Sequence, residues 1–245
     1  MSRNEESRNK GKRRAGTTSF LEEFPCAYFD DGRVAAIEYL FAEGKDTREF
    51  HRFLARGYRR LGGVFYRNIC AHCSACLPIR LATGPFEASK SQRRTLKKNR
   101  DIRLDISPVA VSGEKIGLYL KYLSGKHGEK KNEEADAYKS LLSLHYGYPY
   151  AIEMDYYLGD RLIGVGIVDE TGCALSSNYF YYDTDYLDRR LGVFSILSEI
   201  FLARLLGKKY YYLGFYIEET RKMSYKKHFR PNQIYEDGRW RDFLR

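Results

Sequence analysis

The sequence predicts an α+β protein with a mixed, mostly antiparallel sheet and flanking helices. Hydrophobic residues make up 43% of the 245 residues, which is typical of a chain that buries a globular core. The last hundred residues contain three runs of alternating apolar and polar residues, with turns at "LGD" and "ETG". A later segment, "RRLGVFSILSEIFLARLLG", instead carries apolar residues at helical spacing. Strands and helices are therefore both expected, in successive runs along the chain.

Composition and charge limit the classes of function. No run of eighteen apolar residues is present, so no membrane-spanning helix is expected, and the N-terminus lacks the apolar stretch of a secretory signal. We therefore predict a cytoplasmic protein whose cysteines stay reduced. The net charge of +10 favours a polyanionic partner, and nucleic acid is the usual one.

The N-terminal part is predicted to hold short elements around a cysteine cluster. Residues 1–18 are polar without periodicity, which predicts a disordered basic tail. A helix is predicted over Thr47–Arg60, with Thr47 as its N-cap. "GGVFYRN" and "LPIRLAT" are predicted strands on either side of the cysteines. In the basic block Ser89–Leu104, Ser91 is expected to cap a helix.

The C-terminal part predicts a more regular order of elements. Two helical stretches between Glu114 and Tyr146 flank a charged linker, and three strands follow in residues 150–183. The long helix then ends at Gly207, and "KKYYYLGFY" and "EETRKMSYKKHF" are a strand and a final helix. This order is that of the GCN5-related N-acetyltransferase fold, which is an analogy about fold and does not fix function. We divide the chain into the tail, an N-terminal cysteine-containing region (19–105) and a C-terminal acyltransferase-like domain (106–245).

Four of the five cysteines form a candidate metal site. Cys70, Cys73 and Cys76 are spaced three residues apart, and Cys26 supplies a fourth thiol. Four thiolates suit tetrahedral zinc, and the close spacing suits an iron–sulfur cluster equally well. A packed group of reduced thiols is the alternative. Cys173 is expected to be a small core residue in a strand.

The basic block is a candidate nucleic-acid contact. A helix there would place several cations on one broad face, which suits binding to phosphates. A solvated helix face is the alternative. The candidate residues are Arg93, Arg94, Lys97, Lys98 and Arg100.

The loop before the long helix bears on the choice of acyl donor. Enzymes that use acetyl-CoA cradle its pyrophosphate at a helix N-terminus, in a loop with Gly or Ala as its last residue. Here the loop runs over Arg189–Phe194, and its last position is Phe194. We expect the ring of Phe194 to obstruct a pyrophosphate, which disfavours CoA as the donor.

Three long motifs together resemble one known family. They are "GYRRLGGVFYRNICAHCSACLPIRL" with "FEASKSQRRTLKKNRDI", then "YFYYDTDYLDRRLGVFSILSEI", then "YYLGFYIEETRKMSYKKHFRPNQI". In this order they resemble the arginyl-tRNA–protein transferases, whose bacterial branch contains the aspartate/glutamate leucyltransferases. The resemblance covers roughly Pro25 to Ile234. It departs from the family pattern at Ala27, where family members usually have Pro after the first cysteine.

The resemblance implies transfer of an amino acid from a charged tRNA to a protein that begins with Asp or Glu. Leucine is the expected donor, and arginine is the alternative within the family. The product enters the N-degron degradation pathway. Ester-to-amide exchange requires no cofactor, and eukaryotic members are thought to bind a metal or cluster through the cysteine region. The implied partners are aminoacyl-tRNA and acceptor proteins, and we expect a monomer.

The implied reaction assigns roles to several residues. Asp183, Asp185 and Tyr225 are candidates for orienting or deprotonating the attacking amine, although Asp is also common in turns. A cationic pocket is needed for the acidic first side chain of the acceptor. Its candidate residues are Arg80, Arg221, Lys222 and Lys226.

Two rival functions belong to other classes. One is a CoA-dependent N-acetyltransferase, which the expected obstruction at Phe194 disfavours. The other is a non-catalytic zinc-ribbon RNA-binding protein, in which the cysteines and the basic block would be the whole function.

Overall fold

The computed structural model describes residues 13–14, 17–42, 46–127 and 134–243 of the chain. None of the described helices is long and apolar enough to cross a membrane. The strands are β1 (Arg13–Arg14), β2 (Thr17–Pro25), β3 (Val34–Ala42), β4 (Arg59–Leu61), β5 (Val64–Asn68), β6 (Leu77–Ala82), β7 (Ile102–Pro108), β8 (Ala151–Leu158), β9 (Arg161–Glu170), β10 (Ala174–Tyr182), β11 (Tyr210–Tyr216), β12 (Asn232–Glu236) and β13 (Arg239–Asp242). The α-helices are α1 (Thr47–Ala55), α2 (Lys90–Lys98), α3 (Gly113–His127), α4 (Glu134–Tyr146), α5 (Leu191–Leu205) and α6 (Arg221–Ser224). Two short 3-10 helices cover Thr184–Arg189 and Tyr225–His228.

The described strands form two sheets. The smaller sheet has the order β1-β2-β3-β5-β4 and is antiparallel throughout. The larger sheet has the order β13-β12-β6-β11-β10-β9-β8-β7. Its pairs are antiparallel except for β10 and β11, which run parallel. The predicted α+β class, with mostly antiparallel sheets, is confirmed.

The larger sheet lies between two layers of helices. β9 is buried on both faces, as its almost continuous apolar run requires. Ile163 and Val168 pack with apolar residues of α5. Val165 and Ile167 pack with apolar residues of α3 and α4 on the other face. The main core of the protein is therefore split by this sheet.

A buried ion pair fastens the smaller sheet to the larger one. Arg60 on β4 donates from Nε and Nη2 to the carboxylate of Asp169 on β9, at 2.7–3.0 Å. Its remaining hydrogen bonds go to the carbonyls of Gly62 and Leu144. At Gly147 a Cβ atom would lie 1.8 Å from the carbonyl oxygen of Gly62, so only glycine allows this close approach.

The predicted division of the chain cuts across these elements. The boundary between residues 105 and 106 falls inside β7. β6, from the predicted N-terminal region, is hydrogen-bonded between β12 and β11 in the larger sheet. The predicted tail lies outside the described residues except for 13–14 and 17–18, which lie in β1 and β2.

Helix α1 is shorter than predicted and has a different cap. Asp46, rather than Thr47, accepts the backbone N–H of Glu49 at 2.6 Å. The helix ends at Ala55, because Gly57 turns the chain with a φ of 81° and the next residues enter β4. The last predicted turn of helix is therefore a strand.

Three further local predictions differ from the structure. Helix α2 is capped by Ser89, which forms a capping box with Gln92, and not by Ser91. The predicted final helix is divided into α6 and a 3-10 helix. Cys173 lies in the turn before β10 and not in a strand, with its Sγ 3.4 Å from Nδ1 of His51.

Loss of the Arg60–Asp169 pair is expected to destabilise the protein strongly. Asp169→Ala leaves a buried guanidinium unpaired, which typically costs about 3–5 kcal/mol. Asp188→Ala is the control, because it removes an exposed partner of Lys98, and exposed ion pairs contribute little to stability. Urea denaturation measures both changes in the free energy of unfolding. Equal, small losses in the two variants would contradict the anchoring role.

Candidate functional site

The larger sheet opens between β10 and β11. The parallel pairing of these strands covers only Ala174–Ser176 and Tyr210–Tyr212, although both strands continue. The register of β10 with β9 shifts after Ser177, and that of β11 with β6 shifts before Gly214. We call this opening, bounded by Ser177 and Gly214, the fork. Backbone groups that would otherwise pair across the two strands become available to side chains there.

Arg59 reaches the fork from the smaller sheet. Its Nη2 donates to the carbonyl of Ser177 at 2.6 Å and lies 3.4 Å from that of Asn178. The residue is buried, and its Nη1 has no hydrogen-bond partner among the described residues. A buried guanidinium nitrogen without a hydrogen-bond partner costs free energy, and such atoms are rare in folded proteins. The unpaired Nη1 therefore singles out the fork.

Lys226 reaches the fork from the opposite side, out of the second 3-10 helix. Its Nζ donates to the carbonyl of Phe215 on β11 at 3.0 Å. Burial, and after it the charge of Arg59, lower the pKa of Lys226 to about 7, although the charge of Glu199 opposes the shift. The amine is therefore a mixture of charged and neutral forms near neutral pH.

Glu199 lies beneath the fork on α5. Its carboxylate accepts hydrogen bonds from Oγ of Ser195 at 2.7 Å and from Oη of Tyr211 at 2.8 Å. Burial raises the pKa of Glu199, and these two hydrogen bonds oppose the shift. A buried carboxylate beside two cations makes the fork a concentration of ionisable groups, which is typical of functional sites.

The predicted pocket residue Arg80 has a packing role instead. Its Nε donates to Gln233 at 3.0 Å, and its Nη1 lies 3.1 Å from Oη of Tyr212. The guanidinium stacks between the rings of Tyr210 and Trp240, with Cζ 4.1 and 4.2 Å from their centroids. These contacts occupy Arg80 and do not favour substrate binding.

The remaining pocket candidates are separated. Lys226 lies at the fork, whereas Arg221 and Lys222 are exposed on α6. The structure therefore brings one of the four predicted cations to the fork, together with the unpredicted Arg59.

The two candidate aspartates are held by cations. Asp183 is buried and binds Lys121 at 2.5 Å and Arg161 at 2.6 Å, and it caps the 3-10 helix through the N–H of Asp185 at 3.0 Å. Although burial raises the pKa of Asp183, the hydrogen bond from Lys121 is the main contact that holds it below its usual value. A carboxylate bound by two cations is poorly suited to accept a proton from the attacking amine.

The third candidate, Tyr225, is enclosed by apolar and aromatic side chains. Its ring packs edge-on against Phe229, with the centroids 6.4 Å apart. Burial raises the pKa of Tyr225, so its hydroxyl stays protonated at neutral pH. A role as base is therefore not favoured by its surroundings.

The predicted nucleic-acid contact lies on α2 and is exposed. Arg93 donates to the carbonyl of Ala88, and Lys98 pairs with Asp188 at 2.7 Å. Arg189 forms two hydrogen bonds to Asp101, which hold the end of α2 against the loop before α5. A shallow basic depression of about 520 Å³ is lined by Arg94, Lys97, Lys98, Arg100 and Asp101.

Phe194 does not obstruct the loop before α5. Its ring is buried in the main core, edge-on to Tyr156 at a centroid distance of 5.9 Å. The expectation of a blocked loop was wrong, because the first turn of α5 directs this side chain inward. The position of Phe194 therefore gives no reason to exclude CoA as the acyl donor.

The four candidate metal ligands line one pocket. Cys26, Cys70, Cys73 and Cys76 border a cavity of about 250 Å³, which we call the cysteine pocket, and all four are free thiols. Arg33 donates to Sγ of Cys73 at 3.3 Å. Burial, followed by the neighbouring thiols, raises the pKa of Cys76 to about 12. Within the described ranges no group of three such side chains is arranged to hold a metal ion, so the donor types fit a metal but their positions do not converge.

The cysteine pocket adjoins the fork. Phe215 lines the pocket, and its carbonyl accepts the hydrogen bond from Lys226. Tyr28 also lines the pocket; burial raises its pKa to about 12, and the charge of Arg59 opposes that rise. The two features therefore form one continuous region at the junction of the sheets.

Sequence reasoning missed three residues of the fork: Arg59, Glu199 and Gly214. Glu199 carries a signal, since an acid interrupts the apolar run "FSILSEIFL". Arg59 fell within the helix predicted over Thr47–Arg60, where two adjacent arginines are typical of a solvent-exposed face. Gly214 gives no signal in the sequence beyond being a glycine within a strand.

Comparison with known families identifies both halves of the chain. A model described as "Arginine-tRNA-protein transferase, N terminus" matches residues 24–94, and one described as "Arginine-tRNA-protein transferase, C terminus" matches residues 114–236. The second match includes the whole of β10 and β11, and hence the fork.

Curated relatives agree with this match. A protein of Shewanella putrefaciens named "Aspartate/glutamate leucyltransferase" is 38% identical over 89% of this chain and 92% of its own length. A protein of the same name from Saccharophagus degradans is 33% identical, over 90% of this chain and 94% of its own.

A solved structure extends the likeness to the fold. The crystal structure of FemX superimposes with a TM-score of 0.51 at 8% sequence identity, over 96% of this chain and 88% of FemX. At this identity the likeness concerns the fold alone. On the sequence matches, this chain belongs to the arginine-tRNA–protein transferase family.

Proposed function

We propose that this protein transfers leucine from leucyl-tRNA to the α-amine of proteins that begin with Asp or Glu. The observation that carries the proposal is the name shared by relatives that match about nine-tenths of both chains. Arginine is the alternative donor, because the matching family models are named for arginyl transfer. The product would then be a substrate of the N-degron degradation pathway.

The finer fold assignment, to the GCN5-related N-acetyltransferase type, belongs to the same proposal. It is supported by one parallel strand pair that separates within an otherwise antiparallel sheet. Acyl transfer at such an opening would place the two substrates on either side of the separated strands. The fold is consistent with this but does not itself decide the chemistry.

The proposed reaction is the aminolysis of an ester. The neutral α-amine attacks the carbonyl carbon of leucine, a C–N bond forms, and the C–O bond to the terminal ribose of the tRNA breaks. The amine loses a proton, and the ribose hydroxyl leaves with one. The protein contributes mainly by orienting the two substrates and by excluding water. The proton acceptor is either a side chain or the adjacent hydroxyl of the tRNA itself.

Transfer is tested directly with charged tRNAs. Purified protein is mixed with tRNA carrying labelled leucine or labelled arginine, and with peptides that begin with Asp, Glu or Ala. We expect label from leucyl-tRNA on the Asp and Glu peptides and none on the Ala peptide. Transfer only from arginyl-tRNA would establish the alternative donor. Absence of transfer from both charged tRNAs would favour the rival functions, which are CoA-dependent acetyl transfer and RNA binding without catalysis.

The exposed basic face of α2 is proposed to bind the tRNA. The double variant Arg94→Gln/Lys97→Gln removes two cations of the depression, neither of which has an ion-pair partner in the described part of the chain. We expect a higher KM for leucyl-tRNA and an unchanged KM for the acceptor peptide. The slope of log affinity against log salt should become shallower by about 1 for each phosphate that the variant no longer binds.

A matched control is available on α4. Lys139→Gln removes an equally exposed lysine outside the basic depression. It is expected to leave both KM values and the salt dependence unchanged. Because the control removes one charge and the double variant removes two, a control effect about half as large would indicate a response to net charge alone and would contradict a local tRNA contact.

The cysteine pocket is proposed to hold zinc or an iron–sulfur cluster in a structural role. Support comes from the donor type alone, four thiols that border one cavity, since their positions among the described residues do not converge on one point. The ligands would be Cys26, Cys70, Cys73 and Cys76, and the bound group would supply rigidity and no step of the transfer. A cytoplasmic location and a monomeric state are further parts of the proposal.

Loss of one thiol should affect stability more than chemistry. Cys73→Ser is expected to lower the metal content and the Tm, while kcat of the protein that remains folded is largely kept. Elemental analysis, thermal melting and transfer kinetics measure the three quantities. An unchanged Tm and unchanged KM values with a collapsed kcat would assign a chemical role to this thiol instead.

A further inference from the structure

The segment between β10 and α5 links the fork to the basic helix α2. Residues 183–190, which we call the brace, contain the first 3-10 helix and lead into α5. β10 passes the fork at Ser177 and ends at Tyr182, directly before the brace. At its far end the brace is hydrogen-bonded to α2 and its C-cap, beside the basic depression. The brace therefore connects the fork to the exposed cations of α2.

The near end of the brace is held by Asp183. Its backbone N–H donates to the carbonyl of Ile163 on β9 at 2.9 Å. Its carboxylate binds Lys121 of α3 at 2.5 Å and Arg161 of β9 at 2.6 Å. The guanidinium of Arg161 also lies over the ring of Tyr186 within the brace, with Cζ 5.5 Å from the ring centroid. Contacts from a helix and from a strand thus fix the direction in which the brace leaves the sheet.

The far end of the brace is held by hydrogen bonds to α2 and its C-cap. Arg189 donates from Nη1 and Nη2 to the two carboxylate oxygens of Asp101, at 2.8 and 2.9 Å. Its carbonyl accepts a hydrogen bond at 2.9 Å from Nδ2 of Asn99, the C-cap of α2. Near the start of α2, Oγ of Ser91 accepts a hydrogen bond at 3.0 Å from Nη1 of Arg190. Both ends of α2 are therefore tied to the brace.

The backbone of the brace has a conformation that its contacts must determine. Arg190 has a φ of 56° and a ψ of 45°, in the left-handed region that non-glycine residues rarely adopt. Such a conformation costs energy and persists only where the surrounding structure imposes it. The hydrogen bonds from Arg189 also lower the pKa of Asp101, so this contact is ionised at neutral pH. A strained residue and a two-bond ionic contact beside the basic depression indicate a positioning element.

We propose that the brace sets the position of the basic face of α2 relative to the fork, and that Arg189 and Asp101 are positioning residues for the charged tRNA. The inference rests on the proposed transfer of leucine from leucyl-tRNA. The phosphates at α2 and the ester at the fork would belong to one tRNA molecule, so the distance between the two places must match that tRNA. A displaced α2 would weaken its phosphate contacts together and leave the binding of the acceptor peptide intact.

Asp101 allows positioning to be separated from charge. Asp101→Asn removes a negative charge from the wall of the basic depression and makes the depression more positive. If charge alone governed tRNA binding, this variant would bind tRNA more tightly. If the brace positions α2, loss of the ionic contact with Arg189 weakens tRNA binding instead. The two explanations therefore predict changes of opposite sign.

The test measures leucyl-transfer kinetics, the Kd for uncharged tRNA and the Tm in wild-type protein and in Asp101→Asn. We expect the KM for leucyl-tRNA and the Kd to rise by about threefold to tenfold, as for a residue that acts through another. The KM for the acceptor peptide and the Tm should not change. Asp105→Asn is the matched control, because its side chain is 46% exposed, against 49% for Asp101, and pairs with Arg103 on β7, outside the brace. The control should raise neither the KM for leucyl-tRNA nor the Kd.

A charge-reversed pair provides the rescue. Arg189→Asp and Asp101→Arg each place two like charges at the contact, and each should raise the KM for leucyl-tRNA. The double variant restores an ionic contact and the net charge of the wild-type protein, and it should recover most of the wild-type KM. Loss of a direct contact between Arg189 and the tRNA would not be recovered in this way.

The outcomes separate this proposal from its rivals. A KM for leucyl-tRNA and a Kd that fall or stay constant in Asp101→Asn overturn the positioning role. Equal increases in the KM values for tRNA and peptide overturn it too, because the effect would not be specific to tRNA. If wild-type protein transfers no leucine, the proposed function fails, whereas the Kd for uncharged tRNA still tests the brace.

Discussion

The hydrogen bond from Arg59 to the carbonyl of Ser177 is the contact on which the candidate site depends. It links the smaller sheet to the larger one at the point where β10 and β11 separate. Arg59 and Arg60 are adjacent on β4, so their side chains project in opposite directions. Arg60 docks the strand through a paired carboxylate, and Arg59 is thereby held at the fork with no carboxylate partner among the described residues. A structural ion pair thus fixes the position of its unpaired neighbour.

Much of the fold followed from hydrophobic periodicity. β8, β9, β10, α5 and β11 all occur where alternating or helical apolar patterns predicted them. Predictions failed where a single residue decided the outcome. Gly57 ends α1 and starts a strand, and Asp46 replaces Thr47 as the cap because its carboxylate reaches the N–H of Glu49. Hydrophobic periodicity does not indicate which of two neighbouring polar residues accepts the capping hydrogen bond.

The candidate site was harder to predict from the sequence than the fold was. The reaction led us to look for cationic residues, but residue type alone did not distinguish Arg80, stacked between two aromatic rings, from Lys226 at the fork. Asp183 had the right chemistry for a base, yet two cations hold it. The fork is formed by segments that lie far apart in the chain, so only the three-dimensional structure brings Arg59 and Gly214 together.

The most direct test of the fork as a concentration of interacting charges is an NMR titration of Lys226, with its signal assigned through Lys226→Arg. In the wild-type protein, burial and Arg59 should hold the pKa of this amine at about 7, with Glu199 opposing them. Arg59→Gln removes a cation that disfavours the charged amine, so the pKa of Lys226 should rise in that variant. An ordinary value near 10.5 in the wild-type protein, or the same pKa in both proteins, would contradict this account.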